Sequence, residues 1–489
     1  MDSAVLPHHS RVHPHPWRLF TATSVGVIAV FVSMSGLTVA LPTLSRDLGA
    51  SAAQSTWILV GYMVVTTALI LVFGRLSDII GRRPLYIGGL MVFTAATAFC
   101  AVCPSAELLI AARLLQGVGA AAIVTNNTSL LTDAFPARSL GRALGWNATV
   151  AAVAQIIGPV IGGATTALMG WRGLFMAVFV LAAVATVTSL WVIPRTPRSI
   201  GRREPFDIVG ATLSTALLTV TVLALTPGLM PSTWQYWGCG GLAVVIATIF
   251  VTVQVRRAHP LVDVSLFRNR GIGLILVAAL INAVATYAVA LIISLFGQAV
   301  TGASPFTAGL LVTPVAVGTV VAASTAGILV ARRTPRTLSA IGMALNVIGL
   351  LGVTLTLSVD DHRLLATSVF LFVTGCGIGL FMTPSTSALM LAVPTERRGI
   401  ANGMRSTLQN VGNLFSTALV LAIVPTTVSA ASPHSELSPF VDDLRIAGFA
   451  LTGIAALGIA VCLAFPRQRP VLSPFEIPTE SLTKMKESA

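Results

Sequence analysis

Long apolar runs separated by short polar gaps recur along almost the whole chain. A helix needs about 20 apolar residues to cross the hydrocarbon core of a bilayer. Fourteen runs meet that length, near residues 18–42, 55–74, 85–104, 107–131, 143–168, 172–194, 208–228, 235–254, 271–297, 307–331, 338–358, 364–390, 404–428 and 444–465. Each predicts a helix, because an isolated strand would leave backbone groups unpaired in lipid. The first run is longer than the apolar stretch of a signal peptide and lacks a convincing cleavage site, so it reads as a retained helix 1.

The gaps orient the chain. Every second gap is basic, holding Arg82 and Arg83, Arg138 and Arg142, Arg195 to Arg203, Arg256 to Arg270, Arg332 to Arg336, and Arg397 and Arg398. The alternate gaps hold Arg46, Arg172, Arg363 and Arg445. With the tails, about 24 of the 30 Lys and Arg residues fall on one side, which the positive-inside rule makes the cytoplasm. A multi-pass protein of the cell inner membrane with both termini cytoplasmic is expected.

Composition agrees. Of 489 residues 55% are hydrophobic and 10% charged, with a mean hydropathy of +0.88. Soluble domains carry about 25% charged residues. The net charge of +13 suggests nucleic acid as a partner, but these charges are spread through the gaps rather than gathered on one polar face. Five scattered Cys argue against a disulfide framework, and Cys100 and Cys103 read as small apolar filler rather than a redox pair. His8, His9, His13 and His15 lie among prolines in a segment expected to be a disordered tail.

The chain repeats internally. Without a gap, Gly117–Val153 matches Gly375–Val411 at an offset of 258, including Gly117/Gly375, Gly119/Gly377, Thr125/Thr383, Ser129/Ser387, Pro136/Pro394, Gly141/Gly399 and Thr149/Thr407. The shift spans an even number of helices, so both copies share one orientation, a design used by transporters. The expected fold is all-α: a tail 1–17, a six-helix bundle 18–204, two inserted helices 205–258, a second six-helix bundle 259–466 in parallel repeat, and a tail 467–489.

Three motifs carry chemistry. Gly74-Arg75-Leu-Ser-Asp78-Ile-Ile-Gly81-Arg82-Arg83 joins helices 2 and 3, and Asp78 among Arg75, Arg82 and Arg83 suits a charge-assisted latch to a neighbouring helix. Arg113 and Gln116 share one face of helix 4 with Ala120, Val124 and Asn127. An arginine inside an apolar helix marks a functional site or snorkels to an interface. In helix 5, Gly158-Pro159-Val-Ile-Gly162-Gly163 combines a missing backbone donor with glycines that admit a neighbouring helix, which suits a pliable seam.

Together these segments resemble the loop signature, the helix-4 motif and the helix-5 antiporter motif of the major facilitator superfamily. Fourteen helices, with Phe206-Asp207-Ile-Val-Gly210 and His259–Phe267 at the expected places, are similar to its fourteen-helix drug:proton antiporter branch. The resemblance implies alternating access and a part for Arg113 in proton coupling. One position departs from the pattern: before Val39-Ala40-Leu41-Pro42, Ser33 stands where the family has Asp. No Asp or Glu occupies the middle of any predicted span.

Polar residues inside the spans are candidate cavity groups: Ser33, Thr38, Asn126, Asn127, Gln155, Asn282, Tyr287, Asn410 and Asn413, with Asn346 and Gln409. Apart from Arg113 this set is uncharged, which suits lipophilic, neutral or weakly charged compounds. The only lysines are Lys484 and Lys486, so no phosphate-binding P-loop exists. No nucleophile elbow, HExxH or catalytic carboxylate pair is present. The chain is therefore expected not to be an enzyme and to need no cofactor or metal, and the resemblance implies an exporter. Its expected partners are a small-molecule substrate, protons and the lipid bilayer, and it is expected to be a monomer. Export of hydrophobic drugs or antibiotics leads, export of one endogenous metabolite follows, and uptake symport or a membrane enzyme comes last.

Overall fold

The computed structural model describes residues 15–194, 207–225, 233–257, 269–330, 333–359, 363–393, 398–424 and 434–466. The predicted tail residues 1–14 and 467–489, Phe206, the 259–267 segment and Pro394 lie outside them. Among the described residues all regular elements are helices. They are α1 (Pro16–Asp47), α2 (Ala52–Ile80), α3 (Arg82–Val102), α4 (Ala106–Ala134), α5 (Ala137–Met169), α6 (Trp171–Val192), α7 (Ile208–Leu225), α8 (Thr233–Arg256), α9 (Arg270–Thr286), α10 (Val289–Ala299), α11 (Pro305–Leu329), α12 (Pro335–Thr356), α13 (Leu364–Ala392), α14 (Arg398–Ile423) and α15 (His434–Leu463).

Twelve helical stretches among the described residues are long and apolar enough to cross a membrane, with α9 and α10 forming one of them. Of the fourteen predicted runs, two fall short. The apolar part of α7 is the short Ile208–Thr221, and α14 carries Arg405, Gln409, Asn410 and Asn413. Large apolar side chains stand fully outward, among them Leu168, Trp191, Trp234 and Leu365. A water-soluble chain would bury such a surface; a lipid solvent accepts it.

Helix starts follow local chemistry. Ser51 and Gln54 form a capping box at α2: the Gln54 amide donates to Ser51 Oγ at 3.2 Å and the Ser51 amide to Gln54 Oε1 at 2.8 Å. Ser105 caps α4 and Asn269 caps α9. Between α2 and α3 the chain turns at Gly81 with φ of +105°, a conformation that favours glycine. Some helices outrun their apolar stretches by a turn or more: α1 continues through Pro42 to Asp47, and α15 begins at His434 rather than near residue 444.

One predicted helix is broken. The run 271–297 divides at Tyr287 and Ala288 into α9 and α10. The Ala288 amide is taken by Ser416 Oγ of α14 at 3.0 Å. A side-chain hydroxyl inserted into the backbone ladder is a sufficient cause of a kink.

The packing is built twice. α1 packs on α5 and α6, α4 on α2 and α3, and α3 on α6. Likewise α9 packs on α14 and α15, α13 on α11 and α12, and α12 on α15. The ends of α4 and α13 differ by 258 residues at both termini, the offset of the sequence repeat. Across the molecule α5 meets α11 and α14 meets α2, while α7 pairs with α8 and touches both α2 and α14. Buried Asp207 closes the α7–α8 pair: it accepts from Arg257 Nη1 at 2.5 Å, Gln254 Nε2 at 2.9 Å and the Gly210 amide at 2.8 Å.

Candidate functional site

Arg113 lies two turns into α4, and its side chain does not snorkel; it is 1% exposed. Nε donates to the Ile58 carbonyl of α2 at 3.1 Å. Nη1 donates to Ser33 Oγ of α1 at 3.1 Å and to Gln116 Oε1 at 2.5 Å. Gln116 Nε2 in turn donates to Ser33 Oγ at 3.2 Å and to Thr97 Oγ1 of α3 at 2.7 Å. The guanidinium stands over the Tyr62 ring at 4.1 Å from its centroid. Four helices thus converge on one cation, and all these partners are uncharged.

A guanidinium stays protonated in proteins. Its removal from water costs several kcal/mol unless an opposite charge and full hydrogen bonding repay it. Here the repayment comes from dipoles and a π face alone. Tyr287, at the break between α9 and α10, interacts electrostatically with both Arg113 and Tyr62. Its buried hydroxyl has no hydrogen-bond partner among the described residues. The site is therefore bounded by α1–α4 on one side and by the α9–α10 break on the other.

The helix-5 motif forms a seam beside it. A Cβ added at Gly162 would run into the backbone of Gly36 in α1. One at Gly163 would meet the Pro305 carbonyl at the start of α11, and one at Gly309 would meet the backbone of Pro159 and Val160. Gly158 faces Ser35 and Gly36. So α5 is wedged between α1 and α11 with backbone on backbone, an approach only small residues allow. Next to this seam, Gln298 Nε2 of α10 donates to the Val39 carbonyl at 2.9 Å, and Ser294 Oγ to the Thr38 carbonyl at 3.4 Å. Thr38 thus takes part in the seam.

The loop motif distributes differently. Arg82 donates to the Ser129 carbonyl at 2.7 Å and pairs with Asp133 at the end of α4. Arg83 donates to the Ile193 carbonyl at 2.8 Å, where the dipole at the end of α6 is negative. The side chains of Arg75 and Asp78 lie outside those described.

The other candidate cavity residues scatter. Asn346 Nδ2 of α12 donates to Asn282 Oδ1 of α9 at 3.0 Å, joining two helices. Asn127 donates to Asn147 of α5 at 2.7 Å. Asn126 donates to the Ala122 carbonyl and Asn410 to the Ser406 carbonyl within their own helices. Asn413 is buried, and Gln155 has a buried amide nitrogen with no partner among the described residues.

The Major Facilitator Superfamily profile matches residues 23–417 and again residues 275–485. The chain belongs to this superfamily. It is a multi-pass membrane transporter of small molecules, which is not an enzyme. Among its relatives, "Multidrug resistance protein Stp" of Mycobacterium tuberculosis is 29% identical over 85% of this chain and 77% of that protein. "Tetracenomycin C resistance and export protein" of Streptomyces glaucescens is 28% identical over 87% of this chain and 79% of that protein. "Riboflavin transporter RibZ" of Clostridioides difficile is 27% identical over 82% and 87%. Among solved structures, a bacterial homologue of the human lysosomal transporter Spinster superposes with a TM-score of 0.63, at 14% identity, over 92% of this chain and 96% of that one.

In this superfamily member the sequence pattern missed a second buried cation. Arg405 of α14 is 8% exposed and donates to Gln409 Oε1 at 3.3 Å. It stands at the edge of the predicted span 404–428, where an arginine reads as a topology signal. Tyr62, which carries the π face over Arg113, was also missed, since an isolated tyrosine in an apolar run gives no warning of its neighbour.

Proposed function

We propose that this transporter exports hydrophobic small molecules such as drugs or antibiotics by alternating access, driven by proton entry. The observation that carries the reading is Arg113, a cation buried where α1–α4 meet the α9–α10 break, next to the α1–α5–α11 seam. Relatives whose names say multidrug resistance and tetracenomycin C resistance and export support the direction. In this reading α1–α6 and α9–α15 are the two six-helix bundles, α7 and α8 are the inserted pair, and fourteen segments cross the inner membrane with both termini cytoplasmic. The exchanged contacts of α5 with α11 and of α14 with α2 suit two bundles related by an axis along the membrane normal. The seam then lies at the outer end and seals it. The Gly74–Arg83 loop, Asp78 included, latches the inner end in the opposite state. The protein acts as a monomer. A narrower reading, export of one metabolite, is favoured by relatives named for single compounds.

The test is dye loss from preloaded cells expressing the full chain, using ethidium, Nile red and fluorescein as cationic, neutral and anionic probes. At least one is expected to leave faster than from control cells and to stop leaving when a protonophore is added. Efflux that survives the protonophore refutes proton coupling. Retention of all three dyes favours the narrow reading.

A further inference from the structure

Arg113 is short of an anion. Its partners are the Ile58 carbonyl, Ser33, Gln116 and the Tyr62 ring, and among the described residues no carboxylate pairs with it. Nη2 donates no hydrogen bond among the described residues, whereas Nε and Nη1 are used. Opposite, the Tyr287 hydroxyl is buried and unpartnered. Two buried donors from different parts of the chain are thus left over.

Packing does not call for the charge. In α13, the helix related to α4 by the 258-residue offset, Leu371 occupies the place of Arg113 and Thr374 that of Gln116, and both are buried. The same helix geometry therefore closes with apolar and small residues. A buried cation kept without a counter-ion holds a positive potential in a low-dielectric site.

We propose that Arg113 and Tyr287 together bind an amphipathic organic anion. Such a ligand has an apolar ring body and one carboxylate or phenolate, and its charge neutralises Arg113. The anionic oxygen accepts from Arg113 Nη2, a charge-assisted bond stronger than a neutral one. The Tyr287 hydroxyl supplies a second donor, and the rings of Tyr62 and Tyr287 face the ligand body. Ser33 is the residue that keeps the site open to an anion, because a carboxylate there would neutralise the guanidinium from within. The inference rests on the exporter reading only for the direction of transport.

The experiment is equilibrium binding of radiolabelled 2-naphthoate, 2-naphthamide and 2-naphthylmethylammonium to the purified full chain in detergent, in gluconate buffer and again in chloride. Naphthoate is expected to bind at least about tenfold more tightly than the other two, the scale of one charged hydrogen bond. Arg113→Gln should erase the preference. Ser33→Asp should weaken naphthoate about tenfold and favour the ammonium. Ser33→Asp keeps the test decisive if Arg113→Gln fails to fold, which gel filtration would reveal. Equal binding of the three probes, no naphthoate binding, or no effect of Ser33→Asp overturns the proposal. Displacement of naphthoate by chloride also overturns it, assigning the counter-charge to an inorganic ion. Cells that retain all the dyes while the purified protein prefers naphthoate would sink the reading of broad drug export alone.

Discussion

In the first six helices Arg172 of α6 reaches the Cys103 carbonyl at the end of α3, at 3.1 Å. In the last segments Arg445 of α15 does the same to the Leu357 carbonyl at the end of α12, at 3.0 Å from Nε and 2.5 Å from Nη2. At the opposite ends Arg83 of α3 caps α6 at Ile193, and Arg336 of α12 reaches the end of α15 at the Phe465 carbonyl, 3.5 Å away. These arginines are not matched by the 258-residue offset, yet they close the same helix ends. The two regions share a scaffold. They differ at the centre, where Arg113 and Gln116 of the first correspond to Leu371 and Thr374 of the second. They differ at the seam as well, where Gly158, Gly162 and Gly163 correspond to Ser416, Val420 and Leu421. What is duplicated holds the helices together; what is unmatched is where the candidate chemistry lies.

The sharpest way to break this comparison is to make the first region more like the second. Gly162→Val installs the side chain that α14 carries at Val420. Its Cβ would collide with the Gly36 backbone, which cannot rotate away. A loss of about 3 kcal/mol, the upper part of the overpacking range, is expected together with loss of transport. An unchanged unfolding temperature in detergent would show that the seam is looser than its geometry.

A smaller effect tests the shared scaffold. Arg172→Leu and Arg445→Leu should each cost about 1 kcal/mol, since both side chains are partly exposed and screened. The two sites share no partner, so the double variant should show additive losses. Unequal costs, measured by denaturant titration, would mean that the two ends are not equivalent. The smallest effect expected is that of Tyr86→Phe, which removes a 3.2 Å hydrogen bond to the Thr23 carbonyl. About 0.6 kcal/mol is expected for one such bond between membrane helices. A loss several times larger would give the α1–α3 contact a weight that its partner contact, Asn346 to Asn282, should then be tested for.

Much of the architecture was legible in the chain. Apolar run length predicted the helices, and the gapless repeat anticipated that α4 and α13 would have matching bounds. Helix-5 glycines announced a close approach, and one was found at Gly36 and Pro305. The candidate site was legible only in part. Arg113 and Gln116 stood out as polar residues on one face, but burial and snorkelling both fitted the pattern. Asn282 fitted a cavity list equally well, and the fold turns it to Asn346 instead. The break at Tyr287 left no local trace, because the hydroxyl that sustains it comes from Ser416 on another helix.

Helical state and the repeat follow from the order of residues, since each helix satisfies its backbone within itself and its apolar length is a local property. Which polar side chains meet was decided by tertiary structure alone. Arg113 finds Ile58, Tyr62 and Ser33 only after three helices have packed at particular rotations. Those rotations are set by small residues far from it in the chain, where backbones touch.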